Sequence, residues 1–145
     1  MTITRYSRPE MRAIWTDENK LKIWLQIELL ASEALVKEGV VPEKDFAKIN
    51  AGVKHWFGDP KGFVERAKEI EKLRNHDVIA FLENVATSVG PAARWMHQGL
   101  TSSDVLDTTL AVQMMESSHL LLRDLAELRS AVIWTVARAA AIAPS

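Results

Sequence analysis

The sequence predicts an all-α protein, and three observations predict it. Six glycines and five prolines are few for 145 residues, and most fall where an apolar pattern pauses: Gly39 and Pro42, Gly58 to Gly62, Gly90 and Pro91, Gly99, and Pro144. Between those breaks apolar residues recur at the spacing of a helix face. No run alternates apolar and polar residues as a half-buried strand does, and there is no internal repeat or low-complexity tract.

Taken in order, the first helix is expected from about Asp17 to Glu38. Thr16 is suited to N-cap it, Asp17 and Glu18 complement the positive end of its dipole, and Trp24, Ile27, Ala31, Ala34 and Leu35 form an apolar stripe that Gly39 ends. A shorter helix is expected between Glu43 and Trp56. Phe57-Gly58-Asp59-Pro60 reads as a turn, because Gly and Pro both interrupt regular structure. A charged helix from about Lys61 to Leu73 leads into Asn75-His76-Asp77. Ile79, Leu82, Val85, Ala86 and Val89 then form a second stripe that Gly90-Pro91 ends, so Asn75, His76 and Asp77 belong at or near a helix start.

From Ser102 to about Ala143 neither Gly nor Pro intervenes, and Leu121, Leu125, Leu128, Val132, Val136 and Ala139 keep a three-four rhythm. This predicts one helix of about 40 residues, about 60 Å long. A compact domain of this chain length has a radius of gyration of about 15 Å. The helix must therefore project from its own domain and bury its stripe against helices supplied elsewhere.

Composition narrows the function classes. Lys and Arg number 18 against 19 Asp and Glu, so no global field draws nucleic acid or an anionic membrane, and any anion site must be local. The absence of cysteine removes disulfides, thiolate metal sites and cysteine nucleophiles, and fits a reducing, cytoplasmic compartment. The N-terminus lacks an apolar signal-peptide core, and no window offers about 18 uninterrupted apolar residues, so neither secretion nor a membrane span is expected.

Three polar clusters lie at the ends of apolar helices: Arg5-Tyr6, Asn75-His76-Asp77, and His97-Gln98-Gly99-Leu100-Thr101-Ser102-Ser103-Asp104. In the third, hydroxyl residues open the long helix, where unpaired amides and the dipole favour a carboxylate or phosphate. Ser and Thr are also the commonest N-caps, so capping alone accounts for the same residues. His76 beside Asp77 suits a tuned imidazole or a plain helix start, and Arg5-Tyr6 suits an anion contact or a solvated arm. His55 and His119 have no partner at a metal-binding spacing and read as structural or exposed. Tryptophans 15, 24, 56, 95 and 134 are scattered and read as core or interface residues. No phosphate-binding glycine loop, dinucleotide fingerprint or nucleophile elbow is present.

Together and in this order the clusters resemble the N-terminal part of the adenylosuccinate lyases, in the fumarase and aspartase superfamily. The resemblance rests on Arg5-Tyr6-Ser7-Arg8-Pro9-Glu10-Met11, Ile14-Trp15-Thr16-Asp17-Glu18-Asn19-Lys20, His76-Asp77-Val78-Ile79-Ala80-Phe81, and His97-Gln98-Gly99-Leu100-Thr101-Ser102-Ser103-Asp104-Val105-Leu106-Asp107-Thr108. It implies a helical N-terminal domain over residues 1–100 and, over 101–145, the first long helix of a central bundle shared by a homotetramer. The implied reaction is cofactor-free, metal-free β-elimination of a C–N bond, which releases fumarate from adenylosuccinate to give AMP and from the succinylcarboxamide ribotide intermediate of purine biosynthesis. By resemblance, Arg5 and Tyr6 bind the nucleotide, Asn75, His76 and Asp77 line the same pocket, and Thr101 and Ser102 hold a succinyl carboxylate. His97 faces the site and Lys20 adds positive charge. Catalytic groups are expected outside this chain, with His76 in support. The family's general-acid histidine lies in a Gly-Arg-Thr-His-Gly type segment beyond Ser145, and its base is a serine on a Ser-Ser-x-Met-Pro-x-Lys loop further on. The chain is thus expected to be an inactive fragment. Asn75 departs from the Arg that many relatives carry. Rival readings are another lyase or cycloisomerase of the superfamily, or a non-enzymatic helical oligomerisation module.

Overall fold

The computed structural model describes residues 4–142, and every regular element among them is helical. A 3-10 turn over Thr4–Tyr6 leads into α1 (Pro9–Ile14), α2 (Asp17–Lys37), α3 (Glu43–Gly58), α4 (Pro60–Arg74) and α5 (Asp77–Val89). A second 3-10 turn over Gly90–Trp95 then connects to α6 (Ser102–Ile142). The expected all-α class holds. Ala143, at the expected end of the long helix, lies outside the described residues.

Local chemistry explains the boundaries. Thr16 caps α2 by accepting the Asn19 N–H at 3.1 Å. The break expected over residues 57–60 narrows to Asp59: α3 continues through Gly58, and α4 starts at Pro60, whose missing N–H costs nothing at a first helical position. Asp59 then caps α4 by accepting the Gly62 N–H at 3.0 Å. The short helix α1 and the Gly90–Trp95 turn were not foreseen, since each is too brief to show a periodic stripe.

The core joins α2 to α5 through aromatic contacts. Trp24 meets Phe81 edge-on at 5.2 Å, Phe81 meets Phe63 at 5.8 Å, and Phe63 meets Trp56 at 4.8 Å, linking α2, α5, α4 and α3. The buried face of α2 is Leu21, Trp24, Leu25, Glu28 and Ser32, so the expected stripe is rotated: Trp24 is buried, but Ile27, Ala31 and Leu35 are half-buried and Ala34 is exposed. Of the two polar residues on that face, Glu28 has a specific partner, His97. In α5 the buried positions are Val78, Ala80, Phe81, Asn84, Val85 and Val89, whereas Ile79 is exposed.

Helix α6 runs antiparallel to α2. Val105 is fully buried in the core, Gln113 donates to the Ile14 carbonyl at 2.8 Å, and Asp124 pairs with Arg8. Beyond Asp124 every described residue of α6 is exposed, including Leu125, Leu128, Val132 and Val136. The helix runs on past the residues it packs against, as its length requires, and among the described residues its stripe has no partner. No helix among the described residues is long and apolar enough to cross a membrane.

Candidate substrate site

The start of α6 is where the sequence placed it. Asp104 Oδ2 accepts the Thr101 backbone N–H at 2.7 Å, and the Asp104 N–H returns to the Thr101 carbonyl at 3.1 Å. This is the reciprocal half of a capping box, the third-residue carboxylate accepting the N-cap N–H, while the hydroxyl half is not formed. Among the described residues the Thr101, Ser102 and Ser103 hydroxyls form no hydrogen bond. Thr101 is exposed and Ser102 half-buried. An exposed helix start, its dipole positive and its hydroxyls unspent, can hold a carboxylate or phosphate.

His97 stands just before this point. Its ring Nδ1 lies 2.6 Å from Glu28 Oε1, and its backbone N–H donates to Glu28 Oε2 at 2.8 Å. Glu28 is completely buried on α2, and the His97 side chain is 20% exposed, so one edge of the ring still reaches the surface. His97 adopts a left-handed backbone (φ 59°), uncommon for a residue with a side chain.

Asn75, His76 and Asp77 form the corner between α4 and α5. Asn75 is the C-cap of α4 in a left-handed conformation (φ 53°), His76 is the N-cap of α5, and Asp77 is its first residue. His76 Nδ1 accepts the Ile79 N–H at 3.4 Å and lies 3.7 Å from Asp77 Oδ1, while the Asp77 carboxylate accepts the Val78 N–H at 2.8 Å.

Lys20 and Asp77 face one narrow cleft between α2, α4 and α5, floored by Trp24 and Phe81. Lys20 Nζ lies 5.2 Å from the centre of the Trp24 ring. Lys68 and Glu71 line this cleft and also the open groove that Asn75 borders, so Lys20, Asp77 and Asn75 belong to one continuous surface. Asp17 sits at the cleft's rim, and its bond from Lys68 holds its carboxyl below the usual carboxylate range, with Lys68 raised in return.

Arg5 and Tyr6 lie apart from these groups. The Arg5 guanidinium covers the Tyr6 ring at 5.0 Å, and Tyr6 is 75% exposed. The nearby Arg8 reaches Asp124, about 33 Å along α6 from Ser102 at the helical rise. Among the described residues no hydrogen bond or ion pair joins Thr101 or Ser102 to His76 or Tyr6. The Arg5–Tyr6 turn, three residues from Arg8, is thus far along α6 from the helix start, and the other expected residues fall into two groups, Thr101 and Ser102 with His97, and Asn75, His76 and Asp77 with Lys20.

His55 lies within the last turn of α3 rather than in a loop, exposed beside the Trp56 ring, and His119 is exposed on α6. Sequence reasoning missed Glu28, Lys68 and the capping role of Asp104. The last was readable from its position three residues after Thr101; the first two owe their place to partners far along the chain.

Comparison with known proteins adds three similarities. A family model described as "Lyase" matches residues 4–140. The chain is 46% identical over 123 residues to adenylosuccinate lyase of Bacillus subtilis (strain 168) and 42% identical over 123 residues to adenylosuccinate lyase of Staphylococcus saprophyticus. Each alignment covers 85% of this chain and 27% of the relative, so the chain spans about a quarter of the length of the curated relatives it matches. The crystal structure of a fumarate lyase from Mesorhizobium sp. BNC1 superposes with a TM-score of 0.77 at 21% identity, over 90% of this chain and 30% of that one, a likeness of fold.

Proposed function

Because the chain belongs to the lyase family, whose model spans residues 4–140, we propose that it forms the substrate-binding N-terminal part of an adenylosuccinate lyase. The 46% identity to the Bacillus subtilis enzyme supports this substrate over that of another superfamily member. The observation that carries the reading at the site is the start of α6, where Asp104 does the capping and leaves the Thr101 and Ser102 hydroxyls available.

In this reading a base removes a proton from the carbon beside a succinyl carboxylate, the C–N bond breaks toward nitrogen, and an acid protonates the departing nitrogen. Fumarate leaves, with AMP or the carboxamide ribotide as the other product. Negative charge accumulates on the carboxylate as the proton departs, so donors fixed there lower the barrier more than they aid binding. Thr101, Ser102 and the first amides of α6 are those donors. Arg5 takes the phosphate by charge and fork geometry, with Tyr6 beside it. Lys20, Asn75, His76 and Asp77 line the nucleotide pocket, and His97 meets the succinyl group. The acid and base come from other segments of the enzyme, and this chain alone releases no fumarate.

The distance between the Arg5–Tyr6 turn and the start of α6 within one chain favours a site completed by other copies. The apolar face of α6 beyond Asp124 is the means of bringing them together, in a homotetramer acting in the cytoplasm. That same face also suits a purely structural assembly module, and one experiment separates the two. In the full-length enzyme, Thr101→Ala with Ser102→Ala is expected to cut turnover of adenylosuccinate by about 10²-fold, the scale of losing a transition-state donor. Unchanged turnover, or a full-length protein with no action on adenylosuccinate, overturns the reading.

A further inference from the structure

We propose that Glu28 is the positioning residue for His97, fixing the imidazole with its Nδ1–H turned inward and its Nε2 turned away from Glu28, four residues before Thr101. The functional half of this proposal rests on the lyase reading above; the structural half stands without it. A completely buried carboxylate is costly unless both oxygens are engaged. Here both go to one residue across 69 positions of sequence: Oε2 accepts the His97 backbone N–H at 2.8 Å, and Oε1 lies 2.6 Å from Nδ1.

As a carboxylate Glu28 can only accept, and the short contact then places the proton on Nδ1. That decides the tautomer: in the neutral ring Nε2 carries the lone pair, and it is the nitrogen on the ring's outer edge. The backbone contact does a second job. It fixes the left-handed turn at His97 (φ 59°), which neither a glycine nor an asparagine supplies at this position. The clamp thus sets the ring's rotation, its proton and its backbone together, just before the α6 start. This is the logic by which a buried carboxylate orients an imidazole wherever one ring nitrogen must be offered to a ligand. His97 meets the substrate, and Glu28 acts only through it.

The test is Glu28→Gln, which keeps the shape but replaces two acceptors by one acceptor and one donor. If the amide oxygen keeps the backbone N–H, its NH₂ faces Nδ1 and drives the ring proton to Nε2. Ring nitrogen NMR on the chain, with the His97 signals assigned by their loss in His97→Gln, is expected to show Nδ1–H in the parent and Nε2–H in Glu28→Gln. An Nε2–H tautomer in the parent, or no change on substitution, overturns the proposal. In the full-length enzyme Glu28→Gln is expected to lower turnover by about 10- to 100-fold, the scale of losing a histidine's orienting partner. It should add little to the effect of His97→Gln, since the two act as a unit. Additive losses, or full turnover with an inverted tautomer, overturn the functional half. A parent enzyme with no action on adenylosuccinate overturns the lyase reading instead and leaves the NMR result standing.

Discussion

Lys68 Nζ lies 2.5 Å from Asp17 Oδ2, a bond that ties the middle of α4 to the first turn of α2 at the rim of the cleft shared by Lys20 and Asp77. Asp17 also favours the positive end of its own helix. The pair therefore acts on both the site's charge and the fold, and its effect depends on pH with a definite sign.

The Lys68 bond, and after it the Lys68 and Lys20 charges, lower the Asp17 pKa from 3.8 in the folded state. Its stabilisation is present above that unfolded value and lost as pH falls through the lower folded value. For Lys68 the folded pKa is raised from 10.5, so its share is present below 10.5 and lost as pH climbs beyond. Both side chains are about half exposed, which limits the pair to about 0.2–1 kcal/mol. Asp17→Asn is expected to lower the unfolding free energy from urea titration by that amount at pH 7, and the gap to the parent should shrink as the pH drops below 3.8. A pH-independent gap would disprove the assignment.

Gly52 allows α3 and α5 to touch. A Cβ there would lie 2.5 Å from Val89 Cγ2 and 2.9 Å from Val89 Cα, and the latter is backbone that no rotamer change relieves. Gly52→Ala would gain about 1 kcal/mol of helix propensity but incur about 1–3 kcal/mol of overpacking. Net destabilisation is expected in equilibrium unfolding; a variant more stable than the parent would contradict the close approach.

Capping and ligand binding are separable at the start of α6. Asp104→Ala removes the acceptor for the Thr101 N–H and should lower stability by about 0.5–2 kcal/mol. Thr101→Val removes only a hydroxyl without an internal partner and should leave the melting temperature close to that of the parent. Equal losses in the two variants would mean that the hydroxyl is itself a cap.

The exposed stripe of α6 predicts self-association. Leu125 and Leu128 are each about 60% exposed, together with Val132 and Val136 further along. Sedimentation of the chain is expected to give a mass above 16.3 kDa. Leu125→Glu with Leu128→Glu should return it to a monomer that stays folded, since neither residue touches the core, and should remove the concentration dependence of its unfolding. A parent chain that is monomeric at high concentration refutes this.

The elements legible in the sequence were those with long periodic stretches and chemical end signals: α2 between Thr16 and Gly39, α5 between His76 and Gly90, and α6 after Thr101. Glycine and proline breaks were read correctly in place but not always in width, because Pro60 begins a helix as well as ending one. The rotated face of α2 was not legible. Glu28 is buried for the sake of His97, and periodicity within one helix carries no information about a partner 69 residues on. The same limit applies to the site: each cluster could be placed at a helix end, but which clusters share a surface depends on packing, as the cleft between Lys20 and Asp77 illustrates.

At the corner between α4 and α5, Asn75 occupies a left-handed conformation that asparagine accepts more readily than a branched or long side chain does. The bend itself carries no charge, so the cations at that mouth, Lys20 and Lys68, stand on the walls of the cleft rather than at its hinge.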